Sequence, residues 1–422
     1  MAPNFFIIEK DPKNIGEIFC RCFECWKHLS HRLEYSLECY QNHCIKWNFH
    51  TLKRTIHMTT RAWIIIISLL WIIIWPHDRL FMNVENFDEI SQIKRSDLVI
   101  IELIIIFIVL EWMWFHIFKG IWIYRSSWND FIVINYRFDD HQLRQDFHEY
   151  LINFYVITHS IAKLLYAISA ITLIIFNILF IHLSIGFYLN FKITLIQLMM
   201  TMSVLSMLVR HLILMMGQLF LSLNYTIFVV EFLKIRLKQL HTFLRIEFKL
   251  FRFTTVANFR KIWKKFYPNY IRIYSETIKM NQTEKIIFFN LELISKSAII
   301  ISALFIGQQL KMNIMNTFVA LVFIIVFCYT TLLYSRVSYL PFYNQLCSRA
   351  LMDGVARQKP IPFVLKHFYS IKSHLLIQTM ANNRLGFTCG EMFFITRFKY
   401  IQLFILNFHL IIKFYKKICI SS

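Results

Sequence analysis

The sequence predicts an all-α polytopic membrane protein with seven transmembrane helices, its N-terminus inside, and a helical anchor region on the cytosolic side. Three observations carry this. The chain has 422 residues, 57% of them hydrophobic, and its apolar runs recur at membrane-spanning length. The basic residues fall between those runs, so the net charge of +21 reads as a positive-inside bias and not as a nucleic-acid surface. With 8 Gly and 7 Pro in the whole chain, the helices are unbroken. That suits a channel or receptor bundle better than a transporter built around interrupted helices.

Residues 1–61 hold nine Lys/Arg and six Asp/Glu, which makes them a cytosolic N-terminal segment with short helices. Glu9 and Asp11 interrupt its first apolar patch, so it is no secretory signal. The membrane domain covers 62–422. Ala62 to His77 is the first span, short for a bilayer and flanked by Arg61 and Arg79, which reach out to the interface. An acidic loop over 78–97 leads to the second span, Leu98 to Phe118, and a polar loop over 119–163 leads to the third, Leu164 to about Leu183. The fourth begins at Ile193. No Gly, Pro, Asn or Asp lies between Val209 and Leu212, so one long helix is expected to continue past Val230 into the cytosol. Ile286 to Leu310 and Met312 to Ser335 are the fifth and sixth spans, and an apolar segment from Tyr400 to Tyr415 is the seventh.

Charge orients these spans. Residues 231–285 carry thirteen Lys/Arg against four Asp/Glu, and 336–397 carry eight against two, so both segments are placed inside. That puts the C-terminus outside, the reverse of a G-protein-coupled receptor. The third and seventh spans also lack the Asp-Arg-Tyr and Asn-Pro-x-x-Tyr signatures of such receptors.

Few residues suggest chemistry. There is no phosphate-binding Gly-rich loop, no Gly-x-Ser-x-Gly and no His-Glu-x-x-His, and the chain is not expected to be an enzyme or to hold a cofactor. Cys20, Cys22 and Cys25, with His28, His31, Cys39, His43 and Cys44, have metal-ligand residue types but not the paired spacing of a zinc site. They are expected to be free thiols. Glu102 and Glu111 in the second span lie two and a half turns apart and face nearly opposite sides; a carboxylate at such a position marks a functional site, pairs within the bundle, or reaches out to the interface from the helix end. Glu292 and Lys296 stand at the i, i+4 spacing of a mutually neutralising pair. Asn281-x-Thr283 fits the glycosylation pattern but lies in an inside segment, where it goes unused.

In the last segment Lys399, Gln402, Leu406, His409 and Lys413 share one face at heptad spacing. A polar stripe on a membrane helix faces either the bundle interior or an aqueous path. Just before it stand Gly386-Phe387-Thr388-Cys389-Gly390 and Phe394-Ile395-x-Arg397. Together with the final helix, these resemble the C-terminal region of the arthropod gustatory receptor family, among the seven-helix insect chemoreceptors. The family's Thr-Tyr, five apolar residues, Gln-Phe mark is replaced by Lys399-Tyr400, six residues, Asn407-Phe408.

The resemblance implies a ligand-gated cation channel in the plasma membrane, opened by small-molecule tastants. It implies homo- or hetero-tetramers held together largely by their cytosolic helices. The seventh helices would then line a central pore, here through Gln402, Ile405, Leu406 and His409, with Lys399 and Lys413 at its mouths. A mostly apolar ligand pocket in the outer halves of spans two to six is assigned to Glu102, Phe180, His182, Gln197, Thr201, Ser302, Phe305 and Asn316. An orphan G-protein-coupled receptor and a small-molecule transporter are the alternative functions.

Overall fold

A computed structural model describes residues 12–30, 36–42, 49–75, 80–82, 84–91, 96–117, 127–190, 192–250, 256–308, 330–357, 374–381 and 385–419. Among these the fold is helical apart from one two-stranded ribbon. The helices are α1 (Ile15–Ser30), α2 (Leu37–Gln41), α3 (Phe49–Ile74), α4 (Val84–Ser91), α5 (Ser96–Ile117), α6 (Ser127–Asn135), α7 (Gln145–Leu189), α8 (Leu195–Leu250) and α9 (Val256–Gln308). They continue with α10 (330–337), α11 (Tyr339–Ala356), α12 (374–381) and α13 (Arg397–Cys419). Strands β1 (Thr388–Cys389) and β2 (Phe393–Phe394) pair antiparallel, Thr388 opposite Phe394.

Among the described residues, three helices are long and apolar enough to cross a membrane: Ile56–Ile74 within α3, Gln145–Leu189, and Leu195–Lys249 within α8. Of the other expected spans, the second coincides with α5 and the fifth with the end of α9, the seventh falls in α13, and most of the sixth lies outside the described residues.

Two sequence expectations are corrected. Helix α3 begins at Phe49, well before Ala62, because nothing from 49 to 61 breaks a helix. It ends at Ile74, two residues before Pro76, whose ring disfavours helical geometry in the preceding residue. The polar loop expected over 119–163 is partly helical: it holds α6 and the first nineteen residues of α7. There Leu151, Tyr155 and Ala162 are buried at spacings of four and seven, while Asp146 and Glu149 in the turn before them are not buried. The polar composition marked an amphipathic helix, not a loop. The expected long helix through Arg210 and His211 is α8, 56 residues without interruption. At 1.5 Å per residue it extends about 84 Å, close to three hydrocarbon-core thicknesses.

The best-packed core lies where the basic halves of the long helices meet α1 and α6. Phe19 touches the rings of Phe131, Phe228 and Phe232 at 5.4–5.8 Å, and Phe138 closes on Phe232 at 5.1 Å. Arg236 lies across Phe232 and pairs with Glu276, which Arg272 also holds at 3.0 Å. By contrast, the most apolar stretch of α7 is only 11% buried within the chain.

The ribbon fastens α13 to α9. Asn281 accepts the Thr388 backbone N–H at 2.9 Å and donates to its hydroxyl at 3.3 Å. The Gly390 N–H donates to the Lys285 carbonyl at 2.8 Å. Gly390 turns the chain at φ +56°, with Phe289 3.2 Å from where a Cβ would stand, so both backbone and space demand glycine. Asn281 is thus engaged by its own chain. Replacing Asn281 by Ala leaves the Thr388 N–H without its acceptor, a cost of about 1–3 kcal/mol. The expected result is faster amide hydrogen exchange across 386–395 with α8 unchanged.

Candidate functional site

The candidate ligand residues fall into two groups. The first gathers at the α7–α8 turn. Here Thr194 and Gln197 form a reciprocal cap: the Thr194 hydroxyl accepts the Gln197 N–H at 3.3 Å, and the Gln197 side chain accepts the Thr194 N–H at 3.0 Å. The other end of the Gln197 amide donates to the Phe81 carbonyl at 3.3 Å, and the Thr201 hydroxyl accepts the Met82 N–H at 3.3 Å. Phe180 stacks on Phe87 of α4 at 5.3 Å. Gln197, Thr201 and Phe180 therefore lie against Phe81, Met82 and Phe87 respectively. His182 is on the exposed face of α7 and is not among them.

The second group is on α5 and α9. Glu102 is 1% exposed. Its Oε1 lies 3.0 Å from the Ser297 hydroxyl, and Oε2 has no hydrogen-bond partner among the described residues. Ser302 and Phe305, one and two turns further along α9, are buried. Asn316 lies outside the described residues.

The structure adds a buried constellation that the sequence did not pair. The Arg61 Nε–H donates to His211 Nδ1 at 3.2 Å, and His211 Nε2 lies 3.3 Å from Glu111 Oε1. His211 is fully buried and stacks on Phe107 at 5.4 Å. The triad ties α3, α5 and α8 together through charge-assisted contacts. The sequence signalled only the carboxylate of Glu111 within a span. Neither Arg61 nor His211 is near it in the chain. The Glu292–Lys296 pair does form, at 3.1 Å.

At α13, the Thr396 hydroxyl caps the helix by accepting the Lys399 N–H at 3.2 Å. The Arg397 guanidinium lies over the Phe342 ring at 3.8 Å. Lys399 donates to Gln402 at 3.0 Å. Tyr400 packs toward the core, while Gln402, Ile405, Leu406 and His409 are all exposed in the single chain.

This architecture, long helices that share one packed inner bundle and a last helix fastened by a ribbon, is the fold of an insect olfactory receptor. The receptor OR5 from Machilis hrabei, solved in complex with eugenol, matches with a TM-score of 0.50 over 87% of this chain and 98% of that one, at 11% sequence identity. No protein-family model and no curated protein sequence matches the chain.

Proposed function

We propose that the chain is a chemosensory receptor of the gustatory type: a tetrameric, ligand-gated cation channel of the plasma membrane that small-molecule tastants open. The observation that carries this reading is the fold, which matches a ligand-binding insect receptor over nearly that receptor's whole length. The ribbon at Gly386–Arg397 supports the gustatory assignment, because it is built from the residues that resemble that family and it delivers α13. Seven spans with the N-terminus inside follow from the charge bias. The basic inner bundle is the contact between subunits, and small molecules the size of eugenol bind among the outer halves of the helices. Binding energy that favours a dilated state opens the pore.

In a tetramer the exposed stripe Gln402, Leu406 and His409 faces the central axis, with Ile405 beside it. Cysteine substitution tests this in cells that respond to a ligand. A water-soluble thiol reagent should change the evoked current at Gln402→Cys, Leu406→Cys and His409→Cys, and leave it unchanged at Leu403→Cys. Equal reactivity at all four positions removes α13 from the pore.

The layout has its own test. Epitope tags at both ends of the chain, probed on unpermeabilised cells, should stain at the C-terminus alone. Staining of the N-terminal tag would instead support the layout of a G-protein-coupled receptor.

A further inference from the structure

The facing ends of α8 and α9 carry charge of one sign. Residues 238–265 hold eight Lys/Arg and one acidic side chain, Glu247. Aromatic contacts fasten the two helices there: Phe248 stacks on Phe259 at 6.4 Å, and the Lys265 ammonium lies over the Phe243 ring at 4.9 Å. Leu244 and Phe248 of α8 are buried, as are Phe259, Ile262 and Phe266 of α9. Arg245, Lys249, Arg260, Lys261, Lys264 and Lys265 are left exposed. They make three like-charged pairs one helical turn apart: Arg245 with Lys249, Arg260 with Lys264, and Lys261 with Lys265. Each such pair destabilises its helix. The carboxylates of the inner bundle are engaged elsewhere, Glu231 with Lys234, and Glu276 with Arg236 and Arg272. Among the described residues no carboxylate pairs with Lys249, Lys261 or Lys264. Membrane orientation does not account for this charge. That bias is set by residues within about 15–20 positions of a span, whereas Arg260 to Lys265 lie more than 20 positions before Ile286, where the fifth span begins.

We propose that this tip of the inner bundle binds a soluble multivalent phosphate of the size of an inositol polyphosphate. Lysine ammoniums are compact point charges that suit phosphate oxygens. Lys261, Lys264 and Lys265 fall within little more than one turn of α9, so one compact anion can face them together. An acidic protein would need a patch of about 800 Å² with an apolar centre; six cations gathered on two helix ends suit a smaller anion. The source of the phosphate follows from position, and this step rests on the membrane reading proposed above. About twenty residues of α8, counted from Leu195, cross a hydrocarbon core of about 30 Å. Arg245 then stands about 45 Å further along the helix, and about 35 Å from the core even at a tilt of about 40°. A headgroup of the chain's own bilayer does not reach it. The bound anion relieves the three like-charged pairs, so the ends of α8 and α9 are more stable with it than without.

The test uses the full-length chain in non-ionic detergent, inositol hexakisphosphate as the probe, and calorimetric titration with thermal unfolding as readouts. Micromolar probe should bind and raise the unfolding temperature by several degrees. Neither myo-inositol nor sodium sulfate at the same ionic strength should do so. Lys261→Gln/Lys264→Gln should weaken binding by about tenfold or more. Without the probe it should unfold no earlier than the parent, because it removes repulsion. Lys53→Gln/Lys279→Gln, which removes the same charge at exposed positions elsewhere, should bind like the parent. If the first double variant does not fold, Arg245→Gln/Lys249→Gln takes its place with the same expectation. Equal losses in the tip and control variants, or an equal shift from sulfate, reveal general charge attraction and overturn the proposal. So does parent-like binding by the tip variant. In a phosphatidylcholine bilayer, adding phosphatidylinositol bisphosphate should leave the titration unchanged, and loss of binding there would overturn the soluble source. Binding is read without any current, so its failure leaves the channel reading standing, and a chain that conducts nothing can still bind the probe.

Discussion

Replacing Glu284 by glutamine should make the protein more stable at pH 8.5 and change little at pH 5. Glu284 lies in the basic segment just before the fifth apolar run and is completely buried. Its Oε1 accepts the Trp128 indole N–H at 3.1 Å, and the Thr226 hydroxyl lies within 2.9 Å. These two neutral partners do not offset the loss of water, so burial raises its pKa from 4.5 to about 8. Between those two values the folded chain holds a proton that the unfolded chain has released. Stability therefore falls as pH rises through that window and is flat above it. Glutamine is isosteric and never charges. Its Oε1 keeps the indole bond, and its amide N–H faces the threonine oxygen. The gain at pH 8.5 is on the order of a few kcal/mol, following the size of the shift. Thermal unfolding of both chains in detergent, compared from pH 5 to 9, reads the difference directly. Parallel pH profiles, or a glutamine variant less stable throughout, would show that Glu284 is ionised in the fold.

A second large effect is expected at the aromatic core. Phe232 is fully buried and contacts Phe19, Phe131, Phe138 and Phe228, with the Arg236 guanidinium across its face. Phe232→Ala removes the ring from a site that four other rings hold open, so the cavity collapses poorly. The cost is about 3–5 kcal/mol. Ile178→Ala, on the exposed face of α7, should cost less than about 0.5 kcal/mol. Protease resistance and unfolding temperature should separate the two variants clearly. If Phe232→Ala is as mild as Ile178→Ala, the inner bundle is not the stabilising core.

The features legible in the sequence were those set by local spacing. The uninterrupted α8 followed from the missing breakers at 209–212, and the Glu292–Lys296 pair from one helical turn. The start of α7 was misjudged because charge was read as a loop, although the buried Leu151 and Tyr155 keep helical spacing through it. What stayed hidden depends on which helices are neighbours. Glu111 finds His211 a hundred residues away, and Arg61 reaches the same ring from a third helix. Composition sets no such pairing. The candidate ligand residues show the same limit. Each was chosen for its type and depth, yet Gln197 also caps α8, and Phe180 and Thr201 are engaged by Phe87 and Met82, which are distant in the chain.

The ribbon also has a mechanical consequence. It grips α9 between Asn281 and Lys285, near the middle of a 53-residue rod. The ribbon residues that hold Asn281 and Lys285 run directly on into α13, so the start of the last helix is fixed to the middle of α9 rather than to either of its ends.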